Sequence, residues 1–157
     1  QVLDYSLDGA FVAEPIVHHD LVATPLSTEE LVLVTAAKYN NVDDLQLERG
    51  EIKLLLFREG CAYRQRFERF LADRGHQNIR RHELGTLDGI LGCVAADMGI
   101  TVLPRAVVAG AARSGSITLH DMPRDFARVR TLFIHRADVF QSSAFLRFKE
   151  AVAKAGL

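Results

Sequence analysis

The chain is poor in cysteine, nearly neutral and free of long apolar runs, and each shortage closes off a class of proteins. Two cysteines among 157 residues cannot build a disulfide scaffold, and thiols left free suit a reducing compartment. No apolar run approaches the roughly 18 residues that a membrane-spanning helix requires, so no membrane partner is expected. A net charge of −1 supplies no field to draw in nucleic acid or an acidic membrane. If the protein serves DNA, another segment must do the touching. The sequence opens on Gln1 with no charged-then-apolar leader, and the expected location is the cytoplasm.

What is present is an ordinary globular composition, 48% hydrophobic and 25% charged, long enough for one core or for two small lobes. Leucine-rich and β-branched stretches predict strands near 9–12, 21–26 and 30–35. The polar segment 36–51 reads as a passage into a second, more regular region. There "IKLLLF" (52–57) predicts a buried strand, followed by a helix whose Tyr63, Phe67, Phe70 and Leu71 share one face, capped at its end by Gly75. "IRRHEL" (79–84) predicts a strand, Gly85-Thr86 a helix N-cap, and 87–98 a helix stopped by Gly99. "ITVL" (100–103), a helix opening on Pro104, and "SITLHD" (116–121) complete a βαβαβαβ order that argues for parallel strands. A strand at 129–136 and a helix at 144–155, capped by Ser142 or Ser143, close the chain.

Several residues invite chemical readings. Cys61 follows Gly60 at an expected helix N-terminus, where the helix dipole, Arg58 and Arg64 would favour a thiolate. The cysteine-phosphatase spacing, however, asks for arginine at the position of Phe67, and Arg66 falls one short. A small polar residue lining a turn is the plainer reading. Cys61 and Cys93 lack the C-x-x-C spacing of a redox pair. The histidines, among them His18, His19, His76 and His82, form no H-x-x-x-H pair, so they are read as surface or loop residues and no metal ligand is expected. Arg64, Arg66, Arg69, Arg74, Arg80 and Arg81 alternate with apolar positions and read as a solvated face rather than a nucleic-acid patch.

A repeated arrangement is more informative. "FREGCAYR" and "LGTLDG" each pass from strand through small residues into a helix N-terminus, at the carboxyl end of a strand, where open α/β sheets bind ligands. Both turns present backbone N–H groups, which together suit a small anion.

"LDGAFV", "HDLVATPLSTEELVLVT", "GCAYR…FERFLADRG" and "HELGTLDGILGCVAADMGITVLP" occur in the order that resembles the effector-binding domain of LysR-type transcriptional regulators, over nearly the whole chain. The resemblance implies an α/β, two-lobed fold of the periplasmic-binding-protein-like type 2 class, with a small effector in the cleft between lobes. Residues 1–36 with 132–157 would form a partial first subdomain and 37–131 the second. It places the effector site on Gly9, Ala10 and Phe11, on Gly60, Cys61, Ala62 and Tyr63, and on Gly85, Thr86 and Leu87. Against the family pattern, the winged helix-turn-helix, the linker helix and a first βαβ portion are not found, so DNA would be reached only through such a segment and the strand at 9–12 would expose an edge. The implied protein is a homo-oligomer, dimer or tetramer, without catalysis or cofactor. A solute-binding protein of a transport system and a cysteine-dependent enzyme are the competing readings.

Overall fold

The computed structural model describes residues 1–42, 50–57, 62–76 and 78–155. Its contacts divide into two compact units, Gln1–Glu29 with Val129–Leu157, and Glu30–Arg128. Two strands cross from one to the other, β2 (Leu21–Ala36) and β7 (Arg128–Arg136).

The first unit is built on β1 (Gly9–Ala13), which pairs antiparallel with β7 from Gly9↔His135 to Ala13↔Thr131; β7 in turn lies between β1 and β2. Alternation along β7 sends Leu132 and Ile134 to one face, where they pack with Val2, Ala10, Val12, Ile16 and Leu21. Phe133 and His135 take the other face, against Phe145 and Phe148 of α5 (Ser143–Ala155). The Ser142 hydroxyl accepts the Phe145 N–H at 3.1 Å, which makes Ser142 the cap of α5. Gly9 is required by packing: a Cβ there would lie 2.5 Å from the Phe133 ring and 2.9 Å from the Ile134 carbonyl oxygen.

The second unit is an α/β layer structure. β3 (Ile52–Phe57) and β4 (Ile79–Leu84) run parallel in register from Ile52↔Ile79 to Phe57↔Leu84, with the residue ranges the sequence predicts. Leu54 continues the parallel pairing to Ile100, just ahead of β5 (Thr101–Pro104). The strands of the βαβαβαβ series are parallel, and β2, which lies outside that series, enters among them in the opposite sense. Its C-terminal half inserts antiparallel to both β5 and β6 (Ile117–Asp121), pairing Leu33 with Val102 on one side and with His120 on the other. That position pairs both of its edges, and Leu31 to Ala36 are six consecutive buried residues, as in a strand covered on both faces. The predicted strands near 21–26 and 30–35 are accordingly one strand, continuous through Ser27–Glu29.

Helices cover both sides of this sheet. α2 (Leu87–Ala95) and α3 (Arg105–Arg113) bury Ile90, Val94 and Val108 against Val32, Val34, Leu55, Leu103 and Ile117. α1 (Ala62–Ala72) buries Phe67, Phe70 and Leu71, and Phe70 meets Phe126 of the short α4 (Arg124–Ala127) edge-on at 5.2 Å. α1 ends as expected: Gly75 takes φ 80°, its N–H reaches the Ala72 carbonyl, and the His76 N–H reaches that of Leu71.

α2 does not run to Met98. Asp97 adopts φ 58°, its N–H bonds to Val94 and that of Met98 to Cys93, which closes the helix at Ala95, four residues before Gly99. Gly99 serves a different end. A Cβ on it would sit 2.5 Å from the Lys53 carbonyl oxygen, so only glycine lets the chain lie against β3 here. Pro104 likewise precedes the first turn of α3 as its N-cap residue instead of entering the helix.

Candidate functional site

Because β3 and β4 are parallel and end together at Phe57↔Leu84, the helices that follow them, α1 and α2, start from the same end of the sheet. Gly60 and Cys61, which follow β3 in the chain, lie outside the described residues, and α1 is described from Ala62, which with Tyr63 opens its first turn. The turn after β4 is described in full.

Gly85 has open space around its Cα and makes the bend. Thr86 is extended, φ −137° and ψ 150°, and its Oγ1 accepts the Gly89 N–H at 3.1 Å, while its carbonyl accepts the Ile90 N–H at 3.1 Å. Gly89 makes room for that cap, since a Cβ there would be 3.0 Å from the Thr86 oxygen. A hydroxyl engaged as acceptor still has its own proton to donate. The cap satisfies Gly89 but leaves the N–H groups of Leu87 and Asp88 without an acceptor inside the helix. The Leu87 side chain packs on the core cluster, so that residue offers the turn its backbone. Thr86 is exposed and the turn is open to solvent. Asp88, in the first turn of α2, opposes an anion there.

Arg64, read from the sequence as a cation near Cys61, has acidic partners of its own. Its guanidinium donates to Glu83 at 2.8 Å and to Glu68 at 3.2 Å, and these bonds hold its pKa above the usual value. Burial pushes the Glu68 carboxyl up, but hydrogen bonds from Arg81, at 2.6 Å, and Arg64 outweigh it, and the net shift is downward. The rest of the arginine row is engaged as well. Arg80 lies 3.8 Å from Glu51, Arg69 4.0 Å from Asp73, Arg66 donates to the Asp125 carbonyl at 2.8 Å, and Arg74 lies over the Phe70 ring. These intramolecular partners suit a solvated face. Sequence reading missed this network, whose local signals are the Arg64/Glu68 and Arg69/Asp73 spacings of four.

Gly9, Ala10 and Phe11 lie on β1 in the first unit. Ala10 turns toward the core cluster of Val2, Leu132 and Ile134, whereas Phe11 is half exposed and packs its ring on Phe133 and Phe148 at 5.5 and 6.3 Å. Cys93 is partly buried on α2 and packs against the core of the second unit, as a small apolar side chain would.

At the C-terminal end of β7, Arg136 and Asp138 fasten the N-terminal segment. Arg136 grips Asp138 through two bonds, 2.7 and 2.9 Å, and donates to the Leu3 carbonyl at 3.1 Å. Tyr5 lies under the guanidinium and donates its hydroxyl proton to Asp138 at 3.0 Å. The Arg136 bonds, with that from Tyr5, bring the Asp138 carboxyl down to about 2. Loss of a proton from Tyr5 is correspondingly disfavoured, chiefly by its bond to Asp138.

Comparison with known proteins adds independent findings. A family model described as the LysR substrate binding domain matches residues 1–156. The chain is 37% identical over 155 residues to the HTH-type transcriptional regulator SoxR of Arthrobacter sp. (strain TE1826), covering 98% of this chain and 52% of that protein. It is 38% identical over 147 residues to the HTH-type transcriptional regulator GltR of Bacillus subtilis (strain 168), covering 94% and 49%. The chain thus spans about half the length of these curated relatives. Among solved structures, the regulatory domain of MetR, a LysR family regulator from N. meningitidis, superposes with a TM-score of 0.75 at 17% identity, covering 99% of this chain and 73% of that one. The regulatory domain of Synechocystis PCC6803 CcmR in complex with 2-PG gives 0.74 at 19%, covering 99% and 76%. At such identities the structures show the fold, which is the periplasmic-binding-protein-like type 2 fold of these regulatory domains.

Proposed function

The chain belongs to the LysR substrate-binding domain family, and from that premise we propose that it is the effector-sensing part of a transcriptional regulator, taking a small anionic molecule at the carboxyl ends of β3 and β4. The observation that carries this reading is the Thr86 turn. It sets a hydroxyl proton and the N–H groups of Leu87 and Asp88 at a helix N-terminus beside the start of α1.

In this reading Thr86 donates through its hydroxyl and its backbone, and Gly85 and Leu87 contribute backbone alone. Ala62 and Tyr63 lie at the start of α1, and Gly60 and Cys61, outside the described residues, are ligand-contacting positions. Gly9, Ala10 and Phe11 of β1 are further ligand-contacting positions. Residues 1–36 with 132–157 and residues 37–131 are the two regulatory subdomains. The ligand acts by preferring one arrangement of the domain, which biases a homo-oligomer whose winged helix-turn-helix segments, elsewhere in the longer protein, hold DNA in the cytoplasm. No catalytic step falls to any residue.

The test is calorimetry against a panel of small anions that includes 2-PG and shikimate, the molecules bound to the CcmR and QuiR regulatory domains. For a ligand so found, Thr86→Ala should weaken binding about tenfold or more, the worth of one hydrogen bond to a charged group, while Thr86→Ser retains it. Unchanged affinity in Thr86→Ala would remove Thr86 from the site.

A further inference from the structure

The three residues ahead of β2, His18, His19 and Asp20, bring their ligand atoms within 4.8 Å of one another. The two imidazoles stack, with centroids 4.7 Å apart and planes 15° from parallel. His19 Nε2 lies 3.3 Å from Asp20 Oδ2, and His18 Nδ1 lies 4.0 Å from the same oxygen. Nitrogen and oxygen ligands about 2.0–2.1 Å from a tetrahedral ion stand about 3.3 Å apart. The His19–Asp20 edge therefore has coordination spacing as it stands, and the His18–Asp20 edge reaches it by closing about 0.7 Å.

The loop also fixes which histidine nitrogen faces the site. The Asp20 N–H donates to His18 Nδ1 at 3.2 Å, so Nδ1 is the nitrogen with the lone pair, and an ion bound there takes that lone pair in place of this hydrogen bond. The backbone beneath is held at both ends, the Leu21 N–H by the His18 carbonyl at 3.1 Å and the Ala137 N–H by the Asp20 carbonyl at 2.8 Å. Arg136 is within electrostatic reach of Asp20, but its guanidinium is gripped by Asp138. Asp20 keeps its carboxylate on the histidine side.

We propose that His18 Nδ1, His19 Nε2 and an Asp20 carboxylate oxygen form a surface site for a divalent transition ion of the zinc type, with solvent completing the shell. Two imidazoles and one carboxylate suit borderline ions; hard Mg2+ and Ca2+ want oxygen ligands, and soft ions want thiolate. The ion would tie the loop to the start of β2 and, through the Asp20 carbonyl, to the end of β7, all within the first unit. The site shares no residue with the effector turns and stands independently of them. It departs from the expectation that these are loop histidines without a ligand role.

The experiment is calorimetric titration of the tag-free chain with Zn2+, paired with visible absorption of the Co2+ form. One equivalent should bind, and His18→Gln, His19→Gln and Asp20→Asn should each weaken it at least about tenfold, whereas His82→Gln leaves it unchanged. Zn2+ should raise the melting temperature of the parent chain and not of the three variants. The His19 side chain is 86% exposed, so that variant tests the site without disturbing the core. Absence of saturable binding, or binding that survives all three substitutions, overturns the proposal.

Discussion

Adding one methyl group at Gly99 should destabilise the protein, and adding one at Gly92, seven residues earlier, should not. At Gly99 the new Cβ would stand 2.5 Å from the Lys53 carbonyl oxygen and 3.1 Å from both Lys53 Cβ and Leu55 Cγ. The obstructing oxygen belongs to the backbone of β3 and already accepts the Ile100 N–H at 2.9 Å, while the Ile100 carbonyl accepts the Leu55 N–H at 2.9 Å. Relief therefore means prying the 99–100 segment from β3 and stretching both bonds. Overpacking of this kind costs about 1–3 kcal/mol, and each weakened hydrogen bond adds about 1 kcal/mol. Gly99→Ala should then lose about 2–4 kcal/mol, a fall in melting temperature on the order of 5–15 °C for a chain of this length. Gly92 lies inside α2 with nothing within 4 Å of a Cβ, and Gly92→Ala should gain about 0.5–1 kcal/mol. Urea denaturation followed by circular dichroism reads both. A Gly99→Ala midpoint within error of the parent, with an unchanged m value, would refute the packing account and return Gly99 to a helix stop.

Three further outcomes follow from the same geometry. Thr86→Ala should destabilise by about 1 kcal/mol through loss of the Gly89 cap even without ligand, with Thr86→Ser near neutral; urea melts decide it, and equal stability of all three would mean that the cap contributes nothing. Asp88→Asn should tighten an anionic ligand about twofold at low salt, an effect that fades as salt screens it; calorimetry at two ionic strengths checks the sign. Asp138 has a carboxyl depressed from 3.8 to about 2, so its stabilising contribution is present above about pH 4 and is lost as pH falls through 2. The stability gap between the parent and Asp138→Asn should therefore close over that window, and its carboxyl resonance should return toward the ordinary range in Arg136→Gln.

What could be read from the sequence was what local chemistry decides. β3 and β4 are short apolar or alternating runs between polar breaks, and their ends fall on the predicted residues. Gly75 and Thr86 each act within one turn of chain, so residue type alone announced the C-cap and the N-cap. Decisions made by distant partners stayed hidden. Ser27–Glu29 look like an interruption until β2 is seen as one strand crossing between units, and nothing near Leu33 says that it pairs antiparallel with both Val102 and His120. The left-handed turn at Asp97 was masked by a glycine two residues on whose purpose is close approach to β3. For the candidate site, the Thr86 turn was legible for the same local reason. The pairing of Arg64 with Glu83 was not, because Glu83 is 19 positions away.

The central claim, that a small anion is sensed where β3 and β4 end, is tested most directly by amide NMR of the chain titrated with a ligand identified by calorimetry. The account predicts saturable shifts centred on Gly85, Thr86, Leu87, Ala62 and Tyr63, absent in Thr86→Ala, while amides at the far end of the same strands, at Ile52 and Ile79, stay still. Shifts that saturate with the measured affinity but spare the Thr86 turn would contradict it.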